Sequence, residues 1–209
     1  MTSDEEIAQI GRLRYSAYRI EQAIDEREDG MFLDRFDKLS NCYNLGVFVC
    51  GELAAAMRIH VLTADSPQSP SMEAFPEVLI PPIAAGKVVT DPNRFVADYE
   101  MSRANPALPY VCVRLPFLAT EYVRGNFSIA TVRKEHEAFY SRITGCKRLV
   151  APRPYPLLTK CFGLMVMDFE ADGDRVYARY PFFRSTAAER EQIFGPQGNG
   201  SAVRRCYAA

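Results

Sequence analysis

The chain has 209 residues, 48% of them apolar and 24% charged, with a formal net charge of −1. That profile belongs to a globular domain and excludes a disordered or fibrous chain; the missing basic excess argues against a general nucleic-acid binder. No apolar run reaches the roughly 18 residues of a membrane helix, so no membrane span is expected, and the acidic start MTSDEEIAQI is unlike a secretory signal, so the expected location is cytoplasmic.

Ser3 followed by Glu6 has the spacing of a capping box. Behind it Ile7, Ile10, Leu13, Ala17, Ile20 and Ile24 recur every three or four residues, which predicts a helix running to about Glu26. Arg14 lies on the shoulder of this apolar stripe and Tyr18 further round. LDRFDKLSN (33–41) is polar and reads as a loop. LGVFVC (45–50) and LAAAMRIHVL (53–62) read as two strands joined at Gly51; in the second, Leu53, Ala55, Met57, Ile59 and Val61 share one face, and Arg58 and His60 the other.

Residues 64–83 are rich in proline and read as a loop with one short helix near Met72–Leu79. KVVTDPNRFVAD (87–98) returns to strand character; Pro92 cannot donate to a ladder, so a bulge or an edge is expected there. LPYVCVRLPFLATEYVRG (108–125) suits a long helix kinked or weakened at Pro116. FSIATV (127–132) is a strand, KEHEAFYSRITG (134–145) a helix closed by Gly145, and KRLVA (147–151) a strand. GLMVMDF (163–169) is open between strand and helix. TAAEREQIF (186–194) is a helix. The expected organisation is one domain over 1–194 and a loose tail over 195–209. Strands alternating with helices in the second half indicate an α/β sheet covered on both faces.

Charge is uneven along this order. Residues 1–29 hold eight acids and four bases, whereas 124–153 hold seven bases (Arg124, Arg133, Lys134, Arg142, Lys147, Arg148, Arg153) against Glu135 and Glu137. One basic face is expected, with an ordinary solvated surface as the alternative. The six cysteines match no zinc spacing, and with only two histidines present no metal site is expected. Reduced, mostly buried thiols are the reading.

Several stretches carry a resemblance. LRYSAYRIE (13–21), LDRFD (33–37), AMRIH (56–60), TDPNRF (90–95), VRKEHEAFYSRITG (132–145) and APRPYP (151–156) together resemble long-chain N-acyl amino acid synthases of the FeeM type, within the GNAT acyltransferase superfamily, and more distantly the acyl-homoserine-lactone synthases. The resemblance implies a GNAT fold: a mixed sheet whose two central strands splay apart around a pantetheine arm, with helices on both faces. Phe32, Asp91 and Asn93 stand where lactone synthases carry Glu, Glu and Ser, which disfavours a lactone product.

The activity so implied is transfer of a long-chain fatty acyl group from a thioester to the α-amine of an amino acid, tyrosine or another aromatic or apolar one. Such chemistry requires a proton acceptor for the amine, a stabilised oxyanion, a departing thiolate and a cation for the acceptor's carboxylate. Asp91 is the candidate base, directly or through a water, and pairing with Arg58 or Arg94 is its structural alternative. Arg94 and Arg58, with Arg14 joining them, are candidates for holding the carboxylate or ordering the cleft, and Asp34 and Asp37 for pairing with them or for binding substrate. Tyr140 is the candidate acid for the leaving sulfur, and backbone N–H groups around Arg94, Phe95 and Val96 the candidate oxyanion site. His136, one turn before Tyr140, reads as capping or packing.

Acetyl-CoA users of this fold carry a glycine-rich loop after the central strand that cradles the pyrophosphate. The equivalent stretch here, ADYEMSRANPALPY (97–110), contains no glycine. The expected donor is therefore an acyl carrier protein, which supplies the pantetheine arm itself, so that no cofactor is held permanently. Arg124, Arg133, Lys134, Arg142, Lys147 and Arg148 are the candidate docking surface for that acidic partner. The alternatives are a lactone-type signal synthase, a CoA-dependent acetyltransferase and a non-catalytic carrier-binding module.

Overall fold

The computed structural model of the protein describes residues 3–196, so that 197–209, most of the expected tail, lie outside the described residues. Six strands form one sheet: β1 (Cys42–Val49), β2 (Glu52–Leu62), β3 (Val89–Ala97), β4 (Phe127–Val132), β5 (Lys147–Tyr155) and β6 (Leu158–Asp168). Their spatial order is β1-β2-β3-β4-β6-β5. Every neighbouring pair is antiparallel except β3 and β4, which are parallel. The helices are α1 (Asp4–Ile20), α2 (Pro70–Ala74), α3 (Pro76–Ala84), α4 (Tyr99–Ala104), α5 (Leu108–Tyr122), α6 (Glu137–Thr144), α7 (Phe169–Arg179) and α8 (Ala187–Phe194).

Alternation along β2 sets the two layers. Ala55, Met57 and Ile59 pack against α5 and α8, whereas Ala56 faces α1 on the other side. Leu62, Val89 and Ile129 meet α2 and α3 on that same side. Ala130, Val132, Met165 and Met167 pack on α5, α6 and α7 opposite. The central strands are thus covered on both faces, which explains the nearly continuous burial of β2, whereas the edge strand β5 is largely exposed.

Helix α1 ends at Ile20, six residues before the predicted end at Glu26. Gln22 adopts φ 54°, and the Ala23 N–H reaches the Tyr18 carbonyl at 2.8 Å while the Gln22 N–H reaches that of Arg19 at 3.1 Å. This is a Schellman closure built without glycine, so the usual sequence marker is missing. The buried face is also rotated from the apolar stripe. Arg14 is fully buried, whereas Ile20 is 58% exposed.

Five further differences are local. The predicted loop 33–41 contains a 3-10 turn, Arg35–Lys38, capped by Asp34. The single helix expected near Met72–Leu79 is two short ones, each opened by a proline, Pro70 and Pro76, at a first-turn position where its missing N–H costs nothing. The stretch left open at 163–169 is strand as far as Asp168, whose side chain then caps α7, a helix the sequence reading does not contain. β5 extends to Tyr155 rather than stopping at 151, and α4 occupies part of the glycine-free stretch. Among the thiols, Cys112 and Cys146 are buried, whereas Cys50 and Cys161 are exposed.

Candidate active site

β3 and β4 pair only at Val89 with Phe127 and at Thr90 with Ser128. Beyond that point they diverge. Pro92 follows directly, where β3 has lost its β4 neighbour, so its missing N–H leaves no ladder bond unmade on that side. The bulge itself comes two residues later: register runs from Arg58 opposite Asn93 to Ala56 opposite Val96, so Arg94 and Phe95 together face Met57. Arg94 takes φ 52°, the strained conformation a bulge imposes when it re-aims a side chain.

A cavity of about 610 Å³ fills the gap, within the usual range for a small-molecule site. It crosses the sheet. Ala17, Tyr18 and Leu158 wall it on the α1 side, Val113, Phe117 and Tyr140 on the α5 side, and Asn93–Ala97 and Ser128–Val132 along the two strands. Glu21 and Arg133, both on the wall, join at 3.1 Å and so tie the end of α1 to the end of β4.

Behind the α1-side wall lies a buried polar network assembled from five elements. Asp34 is its hub. Arg58 clasps it with two bonds, Nη1 to Oδ1 at 2.6 Å and Nη2 to Oδ2 at 3.2 Å. Arg94 Nη2 donates to Oδ2 at 3.0 Å and also to the Pro156 carbonyl at 3.1 Å. Asp37 takes Arg14 Nη1 at 2.7 Å and Arg58 Nη1 at 2.9 Å. Arg14 Nη2 continues to Asn44 at 3.0 Å, and Arg58 Nε to Asn93 at 2.8 Å. Asn93 in turn donates to His60 Nδ1 at 3.1 Å, while His60 Nε2 lies 3.1 Å from the Phe36 carbonyl. A carbonyl only accepts, so Nε2 carries the proton and the ring is neutral. Burial lowers the His60 pKa to about 4.

Three arginines share two aspartates in this network, which leaves one positive charge in excess. The geometry locates it. Among the terminal nitrogens of the three guanidiniums, Arg94 Nη1 is buried and has no partner. Arg94 is also the one of the three that lines the cavity. Phe32 packs 5.0 Å from its guanidinium carbon and Tyr155 5.8 Å, so cation–π contact holds the group in place.

The structure therefore divides the candidate residues. Arg94, Phe95, Val96 and Tyr140 line the cavity. Arg14, Arg58, Asp34 and Asp37 do not; each is matched with the others, because a buried arginine is tolerated only when paired. Asp91 is fully buried and pairs with neither Arg58 nor Arg94. Its Oδ1 accepts the Ser71 hydroxyl at 2.7 Å, and Ser71 Oγ lies 3.0 Å from the hydroxyl of Tyr155. Burial raises the Tyr140 pKa, so its phenol stays protonated.

The basic stretch carries less free charge than its composition suggests. Arg133 is held by Glu21 and Glu135, Arg148 by Glu137, Lys147 by Asp172 and Arg153 by Glu77. Among the described residues Arg124, Lys134 and Arg142 are exposed with no ion pair. Ser71, Tyr155 and Asn93 were not read as site residues. Tyr155 stands in APRPYP, a marked motif; nothing near Ser71 signals its role.

After strand β3, Asp98 caps α4, its carboxylate taking the Met101 N–H at 2.9 Å. The N–H groups that would cradle a pyrophosphate thus face a carboxylate instead.

Several solved structures share the fold. FeeM, an N-acyl amino acid synthase from uncultured soil microbes, aligns with a TM-score of 0.68 at 16% identity, over 81% of this chain and 94% of that one. BjaI, a CoA-dependent acyl-homoserine lactone synthase, gives 0.62 at 16% identity, over 84% and 82%. An acyl-CoA N-acyltransferase from Pseudomonas aeruginosa gives 0.53 at 17% identity, over 79% and 91%. No curated protein sequence matches the chain. The family model for N-acyl amino acid synthase FeeM matches residues 9–168, a span that takes in the network, the splay and both walls of the cavity. With that match, the GNAT-type sheet and the cavity between its parted strands identify this chain as an acyltransferase belonging to the FeeM family of N-acyl amino acid synthases.

Proposed function

We propose that the protein transfers a long-chain fatty acyl group from the pantetheine thioester of an acyl carrier protein to the α-amine of an apolar or aromatic amino acid such as tyrosine. The observation that carries this reading is the cavity of about 610 Å³, largely apolar, which passes between β3 and β4 and has the unpaired end of Arg94 on its wall. An acyl chain fits the apolar side under α5, and a carboxylate fits Arg94.

Position on the wall and the resemblance together support the following roles. Arg94 holds the acceptor's carboxylate, and Arg58, Asp34, Asp37 and Arg14 fix Arg94. Asp91 is the eventual proton acceptor. Backbone N–H groups at the Arg94–Val96 bulge face the thioester oxygen, and Tyr140, kept neutral by burial, supplies a proton to the leaving sulfur. Two features favour a carrier protein over CoA: the glycine-free stretch after β3, and the Asp98 carboxylate that occupies the start of α4 and would repel a pyrophosphate. The pantetheine arm then enters beside Arg133, and the carrier's docking rim is assigned to the unpaired Lys134 and Arg142 that follow it in the chain.

A donor-by-acceptor assay read by mass spectrometry tests this. Palmitoyl carrier protein and palmitoyl-CoA are each offered with pooled amino acids or with S-adenosylmethionine. N-acyl amino acid made mainly from the carrier protein is the expected result. Product from CoA alone would replace the donor, a lactone would replace the acceptor, and binding of the carrier without any product would make the protein a binding module.

Charge reversal checks the rim. Lys134→Glu combined with Arg142→Glu should raise the KM for palmitoyl carrier protein about 10-fold. The KM for palmitoyl-pantetheine should stay within about 2-fold, because these exposed side chains meet the carrier and not the arm. Equal changes with both donors would remove the rim from docking.

A further inference from the structure

Asp91 is walled off from the substrates. It is fully buried, it is absent from the cavity lining, and its Oδ2 has no partner. A carboxylate in that position cannot take a proton from an amine by contact. What connects it to the cavity is a pair of hydroxyls on two other elements. Ser71, fully buried on α2, donates to Asp91 Oδ1 at 2.7 Å. Tyr155, at the end of β5, lies 3.0 Å from Ser71 Oγ and lines the cavity beside Arg94.

The direction of this chain is determined. A serine hydroxyl has one hydrogen, and a carboxylate oxygen that meets it accepts. Ser71 therefore spends its hydrogen on Asp91, and Tyr155 must be the donor to Ser71. The Tyr155 oxygen, which the Thr131 side chain on the cavity wall also meets, is then left with a lone pair to offer. Every bond in the chain points from the cavity towards Asp91.

We infer that Tyr155 and Ser71 form a proton relay by which Asp91 acts on the acceptor amine, with Tyr155 meeting the amine and Ser71 positioning and passing the proton. The inference rests on the N-acyl-transfer reading. As the amine nitrogen forms its bond to the thioester carbon and the carbon–sulfur bond breaks, the nitrogen's hydrogen passes to Tyr155 Oη. The Tyr155 hydrogen passes to Ser71 Oγ, and the Ser71 hydrogen to Asp91 Oδ1. The sulfur takes its proton from Tyr140, which regains one from solvent. Asp91 returns its proton along the same chain after the products leave, so no charge accumulates. Burial, with Asp91 close by, raises the Tyr155 pKa well above the ordinary phenol range. The phenol thus stays neutral and gains one proton as it gives up another. The proline-rich excursion between β2 and β3 thus brings Ser71, on α2, against the end of β5 as well as covering the sheet.

The test compares Tyr155→Phe, Ser71→Ala, the double variant and Asp91→Asn with the wild type, at matched thermal midpoints. Each single variant should lower kcat about 10²-fold while the KM of donor and acceptor stay within about 2-fold. The double variant should be no slower than either single one, since a chain broken once gains nothing from a second break. Ser71→Thr, which keeps the hydroxyl, should recover most of the rate. A kcat within about 3-fold of wild type in either Tyr155→Phe or Ser71→Ala would overturn the relay, as would losses that multiply in the double variant. A wild type that makes no N-acyl amino acid from any donor would instead sink the functional reading, and the relay would fall with it for want of an amine.

Discussion

Asp34→Ala should cost about 3–5 kcal/mol of folding free energy, because it strands the buried Arg94 guanidinium and takes one of two carboxylates from the buried Arg58. Arg58 would lose both bonds of its clasp while keeping Asp37, and Arg94 would lose the one ion-pair partner it has among the described residues. The 3-10 turn that Asp34 caps would also lose its N-terminal acceptor. Urea melts at neutral pH with an unchanged slope read this directly. The wild type should show the same linkage through acid. The two arginines hold the Asp34 pKa, against the cost of its burial, at about 2 in the folded protein, below its usual 3.8. Between those values the unfolded chain binds the extra proton, so the stabilisation is complete above about pH 4 and is lost as pH falls through 2. It amounts to about 2 kcal/mol. Asp34→Ala should lack that part of the acid dependence. A loss below about 1 kcal/mol would mean that the network has some other hub.

The second large effect concerns substrate. Arg94→Gln should raise the KM for the amino acid acceptor about 10²–10³-fold, the cost of removing one partner of a desolvated ion pair. The donor KM should hardly move. Folding survives this change better than the loss of Asp34, since Arg58 still holds that carboxylate with two bonds. An internal control is available. An amino acid amide, which lacks the carboxylate, should be as poor a substrate for the wild type as the amino acid is for Arg94→Gln, and the variant should not distinguish the two. A variant that still prefers the free acid by the wild-type margin would place the carboxylate elsewhere.

How legible these effects were depends on where the information lies. β4 could be read at its observed limits from FSIATV, because an apolar run between turn residues states its own ends. The faces of β2 were also legible, with Arg58 and His60 opposite Met57 and Ile59, because alternation is a local property. α1 was misread at both its end and its buried face. Its closure uses Gln22 instead of glycine, and its inward face is chosen by Asp37 and Asn44, which bind Arg14 from 23 and 30 residues away. α7 was missed because its start depends on Asp168 leaving the last strand to become a cap.

The site shows the same division. The motif residues Arg14, Asp34, Asp37, Arg58, Asp91 and Arg94 were recognisable as a set, and the family match over residues 9–168 agrees with the resemblance they carry. Which of them meets a ligand was not recognisable. The three arginines look equivalent in sequence, and only Arg94 lies on the cavity wall with a nitrogen left over.

By itself, the sequence determined the element types where periodicity was strong, the acyltransferase family and the inventory of charged groups, because each of these is written in residue order. The tertiary structure alone decided the excess charge at Arg94 and the seclusion of Asp91 behind Ser71 and Tyr155. Each of those depends on groups brought together from distant parts of the chain. A polar side chain's role is set by which partners remain for it once the others have been paired, and that remainder exists only in the folded protein.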